Sequence, residues 1–447
     1  VSQTGAASSS WKSVLLGGCL LAVLISSPSW GESSLEAKVG RYLAASSEAD
    51  ASRLFKEIRE DPRASLPAVE SLLKKGALYG PQPKGRQVHL PIVVDDVQMS
   101  YGLYVPQAYD PRNAYPLVIC LHGMGFSGDN YLERWEDRLG EEYILACPTM
   151  EGGAWWTETA EALVLAVFRE VSSRYHVDLN RVLLTGMSNG GIGTYLVGIS
   201  HADLFAGIAP MAAGIPKEIY PFLSNLEHTG VYIIHGEKDQ VMPVALSREV
   251  YAYLEKLGYP VVYREHQLIH PQAGGHFFPK DEVPRLVEWF SKQRRDPYPM
   301  DVLSIRDIDH LGRYSWTKIN QLSADVASVS GSIQDHQEAE RVKRGEFAEL
   351  HATIHGNQID LKTLRVRRFT LFLHPKLVDL GKPVVVTVNG IKSFEGKVES
   401  DLLVLLTEAR IRKDPNLLFE AQLAIDVTKR DSPEDSPQSP PPSAQTP

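Results

Sequence analysis

Cysteine and long apolar runs are both scarce in this chain. Three cysteines in 447 residues cannot build a disulfide framework or a cysteine-based zinc cluster. Lys and Arg number 46 against 55 Asp and Glu, for a net charge of −9. The basic face that nucleic acid or an anionic membrane demands is therefore missing. Beyond residue 25 no apolar stretch approaches the roughly 20 residues of a bilayer span. No internal repeat is found. What is present is ordinary globular composition, 43% hydrophobic and 23% charged, at a length suited to two or three domains.

The one marked apolar run, 14–25, follows Lys12 and leads through Ser-Ser-Pro-Ser to Trp30-Gly31. It is short for a membrane span, and Ser29 and Gly31 supply small residues for a cut before Glu32. Residues 1–31 thus read as a signal peptide of a secreted or periplasmic protein. Leu16-Gly-Gly-Cys19 resembles a lipoprotein acylation box, but its cysteine stands early in the run rather than at its end. Export without a lipid anchor is the expectation. After cleavage Cys120 and Cys147 remain, both on expected strands, and they read as buried free thiols.

Residues 32–84 carry helical spacing (Leu35, Val39, Tyr42, Leu43, then Leu54, Ile58) broken at Asp61-Pro62, a helical lead-in. Over 85–297 strands at 88–94, 99–105, 117–121, 144–147, 182–185, 205–210, 231–235 and 261–265 alternate with helices at 135–139, 160–175, 191–201, 244–257 and 282–292. Two early strands followed by repeated strand-helix units predict a mostly parallel sheet with helices on both faces. The stretch 298–429 is β-rich, with strands at 314–319, 347–355, 365–373, 384–388, 391–394 and 419–427 and a helix at 402–411. Asn389-Gly390 between two of these strands signals a hairpin. The tail 430–447, nearly all Ser, Pro, Asp, Glu and Gln, is expected to be disordered.

Within the strand-helix region, Gly186-Met187-Ser188-Asn189-Gly190 follows an apolar strand and precedes a helix. In that setting it reads as a nucleophile elbow, a turn so sharp that only small flanking residues fit. A serine hydroxyl is a weak nucleophile unless a histidine steered by a carboxylate takes its proton. Downstream, His235-Gly-Glu-Lys-Asp239 ends a buried strand, and Gly274-Gly275-His276 lies on a loop after the next one. Ser188, Asp239 and His276 follow in the order of an acyl-transfer triad. Glu237 is the rival acid and His270 the rival base. His122 and His235, each ahead of a glycine at a strand end, read as structural. The charge developing on the substrate carbonyl needs donors, and two backbone amides are candidates, those of Asn189 and of Met124 in Leu121-His-Gly-Met-Gly125. Trp155 and Trp156 serve equally well as substrate-pocket walls or as packing.

These motifs together resemble the secreted esterases related to polyhydroxybutyrate depolymerases, feruloyl esterases and dienelactone hydrolases, over roughly residues 85–297. The resemblance implies an α/β-hydrolase fold with an eight-stranded sheet and no large lid, and Ser188, Asp239 and His276 as its triad. It implies cleavage of a small-molecule or polymeric ester through an acyl-enzyme, with no cofactor and no metal. Prolyl-oligopeptidase-like peptidases share the motif, and a non-catalytic module on a hydrolase scaffold is a further alternative. Gly123-Met-Gly125-Phe-Ser-Gly128 with Glu151 formally satisfies a dinucleotide fingerprint. That oxidoreductase reading leaves the elbow and both later loops unexplained.

Overall fold

The computed structural model describes residues 34–333 and 335–427. The expected signal segment and the tail beyond 429 lie outside the described residues. Three short helices open the described chain: α1 (Leu35–Leu43), α2 (Glu48–Arg59) and α3 (Leu66–Lys74). Ser34, Ser47 and Ser65 cap them, each side chain accepting a backbone N–H of its helix's first turn.

Eight strands then form one sheet: β1 (Gly85–Val94), β2 (Val97–Val105), β3 (Tyr115–Leu121), β4 (Ile144–Thr149), β5 (Val177–Met187), β6 (Gly207–Met211), β7 (Gly230–Gly236) and β8 (Val261–His266). Their spatial order is β1-β2-β4-β3-β5-β6-β7-β8. Only β2 runs against its neighbours, β1 and β4, and the remaining pairs are parallel. The interleaved helices are α4 (Gly128–Leu139), α5 (Glu158–Arg174), α6 (Asn189–Ser200), α7 (Val244–Leu257) and α8 (Val283–Lys292). This is the α/β-hydrolase fold.

Strand β3 shows why both faces are covered. Leu117, Ile119 and Leu121 point into one apolar layer with residues of α5, α6 and α7, while Val118 and Cys120 point into the other with residues of α4 and α8. A period of two in an all-apolar strand supplies both layers. Cys120 and Cys147 are buried in the second layer as free thiols, and burial raises the Cys120 thiol well above its ordinary value.

The β-rich region comprises β9 (Asp301–Arg306), β10 (Arg313–Tyr314), β11 (Thr317–Leu322), α9 (Val329–Ser332), α10 (His336–Lys343), β12 (Ala348–His355), β13 (Gln358–Leu364), β14 (Val366–Leu373), β15 (Val384–Val388), β16 (Ile391–Gly396), α11 (Leu402–Arg412) and β17 (Ala421–Asp426). It folds into a four-stranded sheet, β10-β11-β14-β17, and a five-stranded one, β16-β15-β13-β12-β9. The single strand expected at 314–319 is two, because Ser315 takes a left-handed φ of 50° and Tyr314 pairs with Thr317 across a tight turn. Asn389 (φ 49°) and Gly390 (φ 83°) form the hairpin turn between β15 and β16.

These parts share interiors. One apolar cluster runs from β3 and α6 through Tyr298, Ile305 and Trp316 into the β-rich sheets. Buried Asn225 ties the seam, its Nδ2 donating to Ile199 O (2.9 Å) and Ile305 O (3.0 Å) while its Oδ1 accepts Ile305 N–H (2.7 Å). The lead-in helices pack through Leu54, Ile58 and Val69 on Leu405 and Leu406 of α11, a partnership the sequence reading did not foresee. Among the described residues no helix is long and apolar enough to cross a membrane.

Candidate active site

Strands β3, β5, β7 and β8 are mutually parallel, so the loops at their C-terminal ends emerge at one edge of the sheet. Those loops carry Met124, Ser188, Asp239 and His276 in turn.

The elbow after β5 is held by close backbone contact. A Cβ on Gly186 would stand 2.3 Å from Gly190 O, and one on Gly190 would stand 2.1 Å from Leu121 O, so neither position admits a side chain without movement. Between them Ser188 adopts φ 59°, ψ −126°, a conformation costly for a residue with a Cβ. Its amide donates to Met211 O (3.0 Å) and its carbonyl accepts Gly191 N–H (2.8 Å) and Ile192 N–H (3.0 Å), which start α6. Ser188 thus sits at the N-terminus of that helix, where the peptide dipoles favour negative charge.

Gly123 faces it closely enough that an added Cβ would lie 3.5 Å from Ser188 Cβ. A Cβ on Gly153 would lie 3.5 Å from Met124 N and 3.4 Å from Asn189 Nδ2, so the two turns chosen as oxyanion donors adjoin. Among the described residues no protein acceptor takes the Met124 or Asn189 amide. The Asn189 side-chain nitrogen is likewise buried without a partner. His122 braces this turn: its Nδ1 lies 2.9 Å from Gly123 O and its Nε2 accepts Met150 N–H at 3.1 Å. Burial holds the imidazole below its ordinary value, against the pull of the Gly123 carbonyl.

On the other side, His276 Nδ1 lies 2.7 Å from Asp239 Oδ2. Asp239 Oδ1 accepts Val241 N–H (2.8 Å) and Met242 N–H (2.9 Å). His235 Nε2 is 3.2 Å from the same Oδ2 and 2.9 Å from Met242 O, while its Nδ1 lies 2.6 Å from Ser247 Oγ. Burial lowers the His235 pKa, against the pull of the Met242 carbonyl and the Asp239 carboxylate. The sequence reading assigned His235 only a structural place; the signal it passed over is the i,i+4 spacing to Asp239 along the strand end. Among the described residues neither the Glu237 carboxylate nor the His270 ring is hydrogen-bonded to this pair, and His270 Nδ1 instead accepts Gln272 N–H.

Trp155 is fully buried, its indole N–H donating to His122 O (2.7 Å), and so packs beneath the turn rather than opening on it. Trp156 is half-buried against the same core. Instead, the exposed apolar side chains on the site loops are Met124 and Phe126, Val241, and Leu268 and Ile269.

No family model matches the chain. A probable feruloyl esterase C of Aspergillus niger is 28% identical over 154 residues, 32% of this chain and 56% of that protein. The feruloyl esterase C of Emericella nidulans is 26% identical over 156 residues, with the same shares. The chain thus spans little more than half the length of the relatives it matches. Among solved structures, a thermostable esterase is 25% identical, with a TM-score of 0.39 over 46% of this chain and 62% of its own.

Proposed function

We propose that the chain is a carboxylic ester hydrolase in which Ser188 is the nucleophile, His276 the general base and Asp239 the orienting acid. The observation that carries this reading is the 2.7 Å contact of His276 Nδ1 with Asp239 Oδ2, on loops at the sheet edge where Ser188 occupies the strained elbow. With Nδ1 held by the carboxylate, Nε2 is the nitrogen that takes the serine proton as Oγ attacks the ester carbonyl. The oxyanion is received by the amides of Met124 and Asn189, and His276 returns the proton to the departing alcohol. Water, deprotonated by His276, then cleaves the acyl-enzyme and frees the acid and Ser188.

The likeness to feruloyl esterases over a third of the chain, and the exposed apolar residues on the three loops, support an aromatic or other apolar acyl group. In this reading 85–297 is the catalytic unit, 32–84 and 298–429 are accessory to it, and export follows from the pattern at 12–31.

The test is labelling with a fluorophosphonate and peptide mapping, followed by p-nitrophenyl acyl esters and methyl ferulate. Label on the Ser188 peptide, with turnover falling by on the order of 10⁶ in Ser188→Ala, is the expected result. Unlabelled Ser188, or a Ser188→Ala variant as fast as the parent, would overturn it.

A further inference from the structure

Away from Ser188, three side chains distant in sequence converge at the seam with the β-rich region. Glu161 lies near the start of α5, His201 just past the end of α6, and His310 in the loop after β9. Taking one ligand atom from each, all lie within 4.8 Å of one another. His201 Nε2 is 2.8 Å from Glu161 Oε1, and His310 Nε2 is 2.7 Å from Glu161 Oε2. Both imidazoles therefore aim the same ring nitrogen at one carboxylate. Behind His310, Asp307 Oδ1 stands 2.5 Å from Nδ1, and Asp307 Oδ2 is fixed by Val329 N–H at 2.8 Å.

We propose that Glu161, His201 and His310 form a zinc-type divalent cation site, with Asp307 as the outer carboxylate that orients His310, and that the ion clasps the β-rich region to the end of α6. Two imidazole nitrogens and one carboxylate suit zinc and its neighbours, whereas calcium and magnesium favour all-oxygen shells. A carboxylate on the far ring nitrogen of a ligating histidine is the usual outer partner, because it fixes the tautomer and ring angle. Glu161 and Asp307 together supply two negative charges, matching a divalent ion. Metal–ligand distances of about 2.0–2.2 Å separate tetrahedral ligands by about 3.3 Å, and each imidazole nitrogen, at 2.8 and 2.7 Å from its own carboxylate oxygen, lies within about half an ångström of that spacing. Side-chain exposures of 26% for His201 and 20% for Glu161 leave an approach for a water as a further ligand.

Protons on the two imidazoles could balance the same charges, giving an ion-paired clasp with no metal; zinc uptake separates the two. The full chain, stripped with EDTA and dialysed against zinc chloride, is expected to hold about one zinc per molecule and to unfold at higher temperature for it. His201→Ala and Glu161→Gln should each weaken binding at least about tenfold and abolish the zinc-dependent rise, and Asp307→Asn should weaken it by about 10–100-fold. His201→Ala, at a partly exposed helix end, carries the test if the buried Asp307 variant does not fold. No zinc uptake by the parent would overturn the proposal. So would uptake unchanged in His201→Ala and Glu161→Gln but lost in His228→Ala, which places the ion instead at Glu227, His228 and Asp301. No ester is used, so the outcome is independent of the Ser188 reading.

Discussion

His235 Nε2 lies 3.2 Å from Asp239 Oδ2, the oxygen that also meets His276 Nδ1 at 2.7 Å. With two backbone amides on Oδ1, the Asp239 carboxylate has four nitrogens around it and little freedom to turn. His235 is thereby a positioning residue for the proposed acid. His235→Phe should keep the fold but lower kcat about tenfold, about 1.4 kcal/mol of barrier, with KM little changed. Steady-state kinetics on a p-nitrophenyl ester measure it, and a parental kcat in a folded variant would remove His235 from the relay.

Gly190→Ala places a methyl group 2.1 Å from Leu121 O, backbone against backbone, where no side-chain rotation relieves it. We expect a loss on the order of 2 kcal/mol or more and a collapse of activity, because the displaced segments carry Ser188 and the Met124 turn. Gly125→Ala is the contrast for contact: nothing lies within 4 Å of an added Cβ there, and only the positive φ of 79° resists it. Chemical denaturation of both variants would show the difference, and equal midpoints would refute the contact argument.

Acid should loosen the Met124 turn through His122. The unfolded chain binds a proton at about 6.5, whereas the buried imidazole stays neutral to lower pH. The unfolded state then holds more protons, so this contribution, whole above pH 6.5, is lost as the pH falls from there toward the folded value. In His122→Gln the urea midpoint should drop less between pH 7.5 and 5 than in the parent. Parallel slopes would rule the effect out.

Asn225→Ala strips three buried hydrogen bonds from the seam and leaves two carbonyls and an amide without that partner. A loss of about 3 kcal/mol follows from about 1 kcal/mol for each bond. Guanidinium unfolding should show it with no change in label uptake at Ser188. A variant as stable as the parent would mean that water replaces the amide.

The eight-stranded sheet was legible because its strands are apolar runs set between helix-length segments. Boundaries were less so: β5 begins at Val177, but Asp178, Asn180 and Arg181 interrupt its apolar pattern. Strand β13 was missed although Ile359, Leu361 and Thr363 alternate inward, because polar residues between them mask a half-buried strand. Asp239 and His276 were named from their loops, and their mutual contact is a matter of three-dimensional closure. His235 escaped for the same reason, as did Glu161, His201 and His310, which no local spacing unites.

Helix α6 starts directly after Ser188 and ends beside Arg306, whose guanidinium donates to Ser200 O from the β-rich side, over the same stretch where the apolar interior continues unbroken. The C-terminal third is therefore a wall of the eight-stranded fold rather than cargo attached to it. A gene cut behind Pro297 should yield aggregating protein with the Phe222 side of its interior bare, and grafting 298–429 onto a foreign partner would transplant half an interior.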